Sequence, residues 1–174
     1  MKTANPLLFF TLLVVGMALP ALAFSETPSF SGTYELDKEA GDDMLEAFEP
    51  ALLEMGLVKR TLARQYMRRN VKPDEQLRIE QKETTVSIQS GDRPPIIAPL
   101  SGEETKYTKF DGSVARVRTR IIDDVLELRA VEPAGGYTTR YSLSPDGRRL
   151  TMRVNLSYEQ LPKPVSYMLV YVRK

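Results

Sequence analysis

Phe30-Ser31-Gly32-Thr33-Tyr34-Glu35-Leu36 alternates with period two, the signature of a strand with Phe30, Gly32, Tyr34 and Leu36 on one face. The period then changes. From about Asp43 to Arg69 the apolar residues fall at helical spacing, and from Gln76 to Lys174 alternation returns and persists. Strands joined without crossover helices pair antiparallel, and so long a sheet removes its edges by closing on itself. The expected fold is mainly β: an up-and-down antiparallel barrel of about ten strands, capped by a helix-turn-helix lid inserted after the first. A barrel of that width is not filled by its own side chains, so a cavity is expected.

The inserted stretch divides in two. Asp42 or Asp43 is placed to cap the first helix, whose apolar positions are Met44, Leu45, Phe48, Leu52, Leu53 and Met55. Pro50 lies among them and predicts a break or a fresh helix start. Beyond Gly56 a second helix is expected over about Val58 to Arg69. Leu62, Tyr66 and Met67 should form its apolar face, with Leu57 just ahead of it and Lys59, Arg60, Arg64, Arg68 and Arg69 on the remainder. A basic amphipathic helix is a plausible membrane-surface element, and equally an ordinary solvated helix face.

The hairpins are punctuated by Asp111-Gly112, Asp123-Asp124, Pro133-Ala134-Gly135-Gly136 and Ser144-Pro145-Asp146-Gly147, each a turn signal between alternating runs. Asp92-Arg93-Pro94-Pro95 is a loop whose prolines demote the next run, near Ile96 to Leu100, to a short or edge strand.

The N-terminus reads as an export signal. Lys2 precedes an apolar run from Leu7 to Leu19, and Ala21-Leu22-Ala23 offers a small-x-small cleavage site. Residues 1–23 are therefore expected to be removed, leaving 24–174 as a single domain, periplasmic or secreted. No Cys follows the site to carry a lipid.

Composition removes several chemistries. With no His and no Cys in 174 residues, no Ser-His-Asp or Cys-His arrangement can be built. Nor can a zinc, copper or haem site based on His or thiolate. With Lys2 gone, the basic side chains equal the 23 acidic ones, which argues against a nucleic-acid binder. Asp42-Asp43, Glu103-Glu104 and Asp123-Asp124 each lie at a turn or helix entry, where acidic residues serve the backbone, and none is read as a metal or acid-base site. No cofactor and no catalysis are expected.

Gly32-x-Tyr34-x-Leu36, four residues, then Gly41-x-Asp43-x-Leu45 resembles the N-terminal signature of fatty-acid-binding proteins of the intracellular lipid-binding (calycin) family. Met55-Gly56-Leu57 through Lys72-Pro73 to Ile79-Glu80 resembles that family's lid and its exit, and Asp146-Gly147 and Val170-Tyr171 resemble its tail. The resemblance implies a ten-stranded barrel closed by two helices around a fatty acid or another long apolar ligand, here in an exported, bacterial-type relative. It also implies that the second helix covers the cavity mouth and can touch anionic membranes. Four departures stand out. The chain looks exported, whereas the family is cytosolic, and it has a longer lead into the helices. Asp42 replaces an aromatic, and Leu169 stands where the family's carboxylate clamp often has Arg, two residues before Tyr171.

A charged head group inside an apolar barrel needs a cation or hydroxyls. By resemblance Arg140 lies near a position where the family has an inward Arg, and Tyr171 would add a phenol. Alternation puts Arg140 with Thr138 and Ser142, opposite Tyr137, Thr139, Tyr141 and Leu143. Arg140 and Tyr141 therefore cannot both face inward without a bulge, and either face is open at this point. Arg116, Arg118 and Arg120 share a face that is expected outside, paired with acids such as Glu127. The expected ligand residues are Arg140, Tyr171, Tyr141, Tyr34, Tyr66, Leu62, Met152 and Leu169, with Phe30, Val117, Leu126, Leu128 and Val154 as further lining. The expected ligand is a fatty acid or other small hydrophobic molecule. A lipocalin-like barrel for a different small molecule, or a filled barrel acting in envelope assembly, are the competing readings.

Overall fold

The computed structural model describes residues 28–174; the expected signal and its cleavage site lie outside them. Strand β1 (Gly32–Gly41) leads into helices α1 (Met44–Leu53) and α2 (Leu57–Asn70). Nine strands follow: β2 (Gln76–Gln81), β3 (Thr85–Ser90), β4 (Ile96–Pro99), β5 (Thr105–Thr108), β6 (Val114–Ile122), β7 (Val125–Glu132), β8 (Gly135–Leu143), β9 (Arg149–Tyr158) and β10 (Val165–Arg173). All pair antiparallel in one sheet ordered β4-β3-β2-β1-β10-β9-β8-β7-β6-β5. First and last strands meet, as Leu36 opposite Tyr171.

The barrel is nearly closed, and its seam lies between β4 and β5. No ladder joins that pair. Side chains bridge it instead: Thr119 Oγ1 donates to the Pro99 carbonyl at 2.7 Å and the Tyr107 hydroxyl to the Pro94 carbonyl at 3.0 Å. One isolated bridge, Ser101 with Arg120, completes the seam.

Where the chain leaves β1, local geometry accounts for the Gly-Asp-Asp sequence. Gly41 has φ +109°, and a Cβ there would stand 2.8 Å from the Met168 carbonyl oxygen, so a side chain is excluded. Asp42 accepts from the Met168 N–H at 2.7 Å, which ties the lid entry to β10 and explains a carboxylate where the resembling family has an aromatic. Asp43 is the N-cap of α1, accepting from the Leu45 N–H at 2.7 Å. Asp123 and Asp124 both have positive φ, 48° and 60°, as a tight β6–β7 hairpin requires.

Two lid expectations are corrected. Pro50 does not interrupt α1, which continues through it to Leu53. The helix is held from outside by Phe48, Ala51 and Leu52, which pack with Val165, Leu156 and Tyr167 on the barrel rim; tertiary burial overrides one lost backbone bond. The second correction concerns rotation. The face of α2 turned to α1 carries Arg60, Ala63, Arg64 and Met67, while Leu57, Val58, Leu62 and Tyr66 are exposed. Arg60 donates to the carbonyls of Leu52 and Met55 at 3.1 and 3.0 Å, capping α1, and Arg64 Nε reaches Glu49 at 3.1 Å.

Phe30, Tyr34, Leu77, Ile79, Val86, Val117, Leu126 and Leu150 are all buried in the core cluster and border no cavity, forming a packed plug. Tyr34 sits in this plug, its hydroxyl donating to the Phe30 carbonyl at 2.8 Å and accepting from Arg173 Nη2 at 2.8 Å.

Arg116, Arg118 and Arg120 are on the outer face, as alternation predicts. Glu127 lies across from both Arg120 and Arg140. It accepts from Arg120 Nη2 at 2.7 Å and Arg140 Nε at 2.8 Å. Its partial burial pushes its pKa up, but the two guanidinium groups outweigh that and hold the carboxyl below its ordinary range. Glu127→Gln is expected to lower stability by about 2 kcal/mol in urea denaturation at neutral pH. The folded carboxyl binds its proton less tightly than the unfolded one. The contribution is therefore full above the ordinary value of 4.5 and fades as pH falls through the lower folded value. An unchanged difference between the two proteins well below that value contradicts this account.

Candidate functional site

The lid half of the barrel is hollow. Along β8, alternation turns Tyr137, Thr139 and Tyr141 inward; along β9, Met152, Val154, Leu156 and Tyr158; along β10, Tyr167, Leu169 and Tyr171. With Leu128 from β7 and Tyr107 from β5 they line a cavity of about 510 Å³, within the range of small-molecule sites. Six of the chain's eight tyrosines border it.

These phenols are neutral at physiological pH. Burial drives the pKa of Tyr137, Tyr141 and Tyr171 far upward and that of Tyr158 and Tyr167 to about 12. They therefore offer O–H donors and ring faces, and none acts as a base. Tyr171 donates to the Asp74 carbonyl at 3.1 Å. Tyr137, Tyr141 and Tyr167 also border the cavity, where their hydroxyls are available to a bound molecule.

Charge gathers at the mouth. Lys72 and Asp74 come from the α2–β2 connection, Arg93 from the β3–β4 turn, Lys109 and Asp111 from the β5–β6 turn, and Glu132 from the end of β7. Lys109 pairs with Glu132 at 2.9 Å. Arg93 Nη2 stands 3.3 Å from the Asp74 carboxylate, and burial raises the pKa of Asp74 against the pull of Arg93.

The expected site residues divide accordingly. Tyr141, Tyr171, Met152 and Leu169 are on the cavity wall, with Leu128 and Val154. Arg140 is corrected: it faces outward, held by Glu127, because Tyr141 takes the inward position. Leu62 and Tyr66 are corrected too, lying on the exposed face of α2 at 61% and 66% exposure. Tyr34, Phe30, Val117 and Leu126 point inward but fill the plug rather than line the cavity. Tyr107, Tyr137, Tyr158, Tyr167, Asp74 and Arg93 were not expected. Alternation already set Tyr137 beside Tyr141 and Tyr167 beside Leu169 and Tyr171; for Arg93, in a turn, no sequence signal exists.

A ten-stranded barrel, open at β4–β5, with two helices between its first strands, matches known structures. The fold is that of fatty-acid-binding proteins. Fatty-acid-binding protein 1 of Echinococcus granulosus is 14% identical with a TM-score of 0.51, covering 83% of this chain and 96% of its own. The Drosophila melanogaster brain fatty-acid-binding protein is 18% identical with a TM-score of 0.51, covering 83% and 99%. A secretary abundant heat soluble protein of Ramazzottius varieornatus reaches 0.59 at 12% identity, covering 86% and 100%. No protein-family model and no curated protein matches the sequence. At these identities the likeness establishes the fold-level resemblance expected from Gly32 to Leu45 and leaves function to the site itself.

Proposed function

We propose that this protein is an exported carrier that binds a fatty acid or similar small hydrophobic ligand in its barrel and catalyses no reaction. One observation carries the reading: a cavity of about 510 Å³ opens among the inward side chains at the lid end of the barrel. An assembly module has no need of that space, since an empty apolar cavity is destabilising. The solved proteins named for fatty-acid binding share the architecture, which supports the choice of ligand. Export rests on the sequence of residues 1–23 alone.

The outward apolar stripe of α2, Leu57, Val58, Leu62 and Tyr66, flanked by Lys59, Arg68 and Arg69, favours transient contact with an anionic membrane during ligand transfer. In this reading the stripe dips into the headgroup layer while the basic residues meet the lipid phosphates.

The carrier reading is tested by mass spectrometry of an organic extract of the purified protein, together with titration of a fluorescent fatty acid. Bound lipid or saturable micromolar binding is expected. Arg140→Ala is expected to leave that affinity unchanged, because its guanidinium is engaged with Glu127 outside the barrel. Empty extracts with no fluorescent binding overturn the proposal in favour of an assembly role, and saturable binding only of a non-lipid small molecule favours the lipocalin-like reading.

A further inference from the structure

The cavity has a polarity. The arginines of strands β6 to β9 at positions 116, 118, 120, 129, 140, 149 and 153 are all exposed. The cations that do border the cavity, Lys72, Arg93 and Lys109, all come from the turns at its mouth. Below them the wall is Leu128, Tyr141, Met152, Val154 and Leu169, with the hydrocarbon plug beyond. Position 169, where a cation would enter from β10, is Leu. An anionic group placed at the deep end would be buried without a counter-charge, which costs several kcal/mol.

The mouth charges are unequally committed. Glu132 is satisfied by Lys109 at 2.9 Å. Asp111 is satisfied within its own turn, accepting from the Ser113 hydroxyl at 2.6 Å and its N–H at 3.0 Å. Arg93 has only the long Asp74 contact at 3.3 Å, and Lys72 has no ion-pair partner among the described residues. The mouth thus holds three cations and three carboxylates, and Lys72 is its cation outside any ion pair among the described residues. Arg93 also lies among phenols: its charge is felt at Tyr107, Tyr137, Tyr167 and Tyr171, pulling each pKa down against burial. Tyr107 and Tyr171 donate to the Pro94 and Asp74 carbonyls, which leaves the guanidinium with the neutral O–H groups of Tyr137 and Tyr167 in the same cavity, a donor set that a carboxylate takes.

We infer that the ligand is an anionic amphiphile bound head-outward, its acid group held at the mouth by Arg93 and Lys72 and its tail directed inward past Tyr141, Met152 and Leu169. This deepens the carrier reading and rests on it. Head-outward binding takes its cations from turns, since no strand Lys or Arg borders the cavity and Arg173 of β10 is engaged by Tyr34 in the plug. It also leaves the acid beside solvent, so that release requires little desolvation of charge.

The test uses NMR of the full mature chain with two stearic acids, one spin-labelled beside its carboxylate and one near its methyl end. The first is expected to broaden the amides of Arg93 and Asp111, and the second those of Leu126 and Leu128. In parallel, Lys72→Gln with Arg93→Gln is expected to weaken binding of a fatty acid about tenfold while leaving the matched fatty alcohol unchanged. The reverse broadening pattern, or equal weakening of acid and alcohol, overturns the orientation and leaves the carrier reading standing. Failure of all these ligands to bind overturns both.

Discussion

Tyr34→Ala is expected to lower stability by about 4 kcal/mol while leaving the ligand affinity of the surviving folded protein within about twofold. The residue is fully buried, and its ring fills the plug between Phe30 and Leu77. Its hydroxyl is bonded to the Phe30 carbonyl, and Arg173 stacks on its ring with Cζ 5.3 Å from the centroid. Truncation opens a cavity in the packed plug. It also strips a hydrogen-bond acceptor from Arg173, whose Nε already has no partner. Tyr141→Ala is the comparison: its ring borders space that exists beforehand, so fewer contacts are lost and the stability change is smaller, whereas ligand affinity falls. Urea denaturation and fatty-acid titration of both variants read the two effects separately. If Tyr34→Ala weakens binding more than Tyr141→Ala, the division into plug and cavity is wrong.

The second large effect is on alkaline stability. The folded protein retains the protons of Tyr137, Tyr141, Tyr158, Tyr167 and Tyr171, whose pKa values burial raises. The unfolded chain releases those protons near pH 10. Stability from this source is therefore complete below about pH 10 and falls above it, by ~1.4 kcal/mol per pH unit for each retained phenol. Several phenols acting together make the fall steep. Tyrosinate absorbance is expected to rise mainly in one cooperative step that coincides with loss of the far-ultraviolet circular dichroism of the sheet. A gradual rise with the dichroism unchanged would show that the phenols are open to solvent and the lid half is not an enclosed site.

Both predictions depend on height within the barrel, and height is where sequence reading reached its limit. Alternation states which residues of a strand share a face, and Tyr34, Val117, Leu126 and Leu169, expected inward, are buried, whereas the choice between Arg140 and Tyr141 stayed open. It carries no information on which level of the barrel that face meets. Whether an inward side chain touches ligand or plug depends on register across several strands, such as Tyr34 opposite Leu77 and Tyr141 opposite Met152. The same limit explains α2. Its helical period offers two apolar-containing faces, and hydrophobicity favoured the one with Leu62 and Tyr66. The capping of α1 by Arg60 and the pairing of Arg64 with Glu49 selected the other.

The amino-acid sequence alone determined the barrel, its strand count, the lid after the first strand, the outward arginines of β6 and the absence of His- or Cys-based chemistry. Each follows from local periodicity, turn residues or composition, which act between near neighbours along the chain. Only the tertiary structure decided that one half of the interior is solid, that Glu127 keeps Arg140 outside, and that Arg93 arrives at the cavity mouth among four tyrosines from other strands. Those outcomes depend on residues far apart in sequence competing for one volume or one charge, a balance that no local pattern contains.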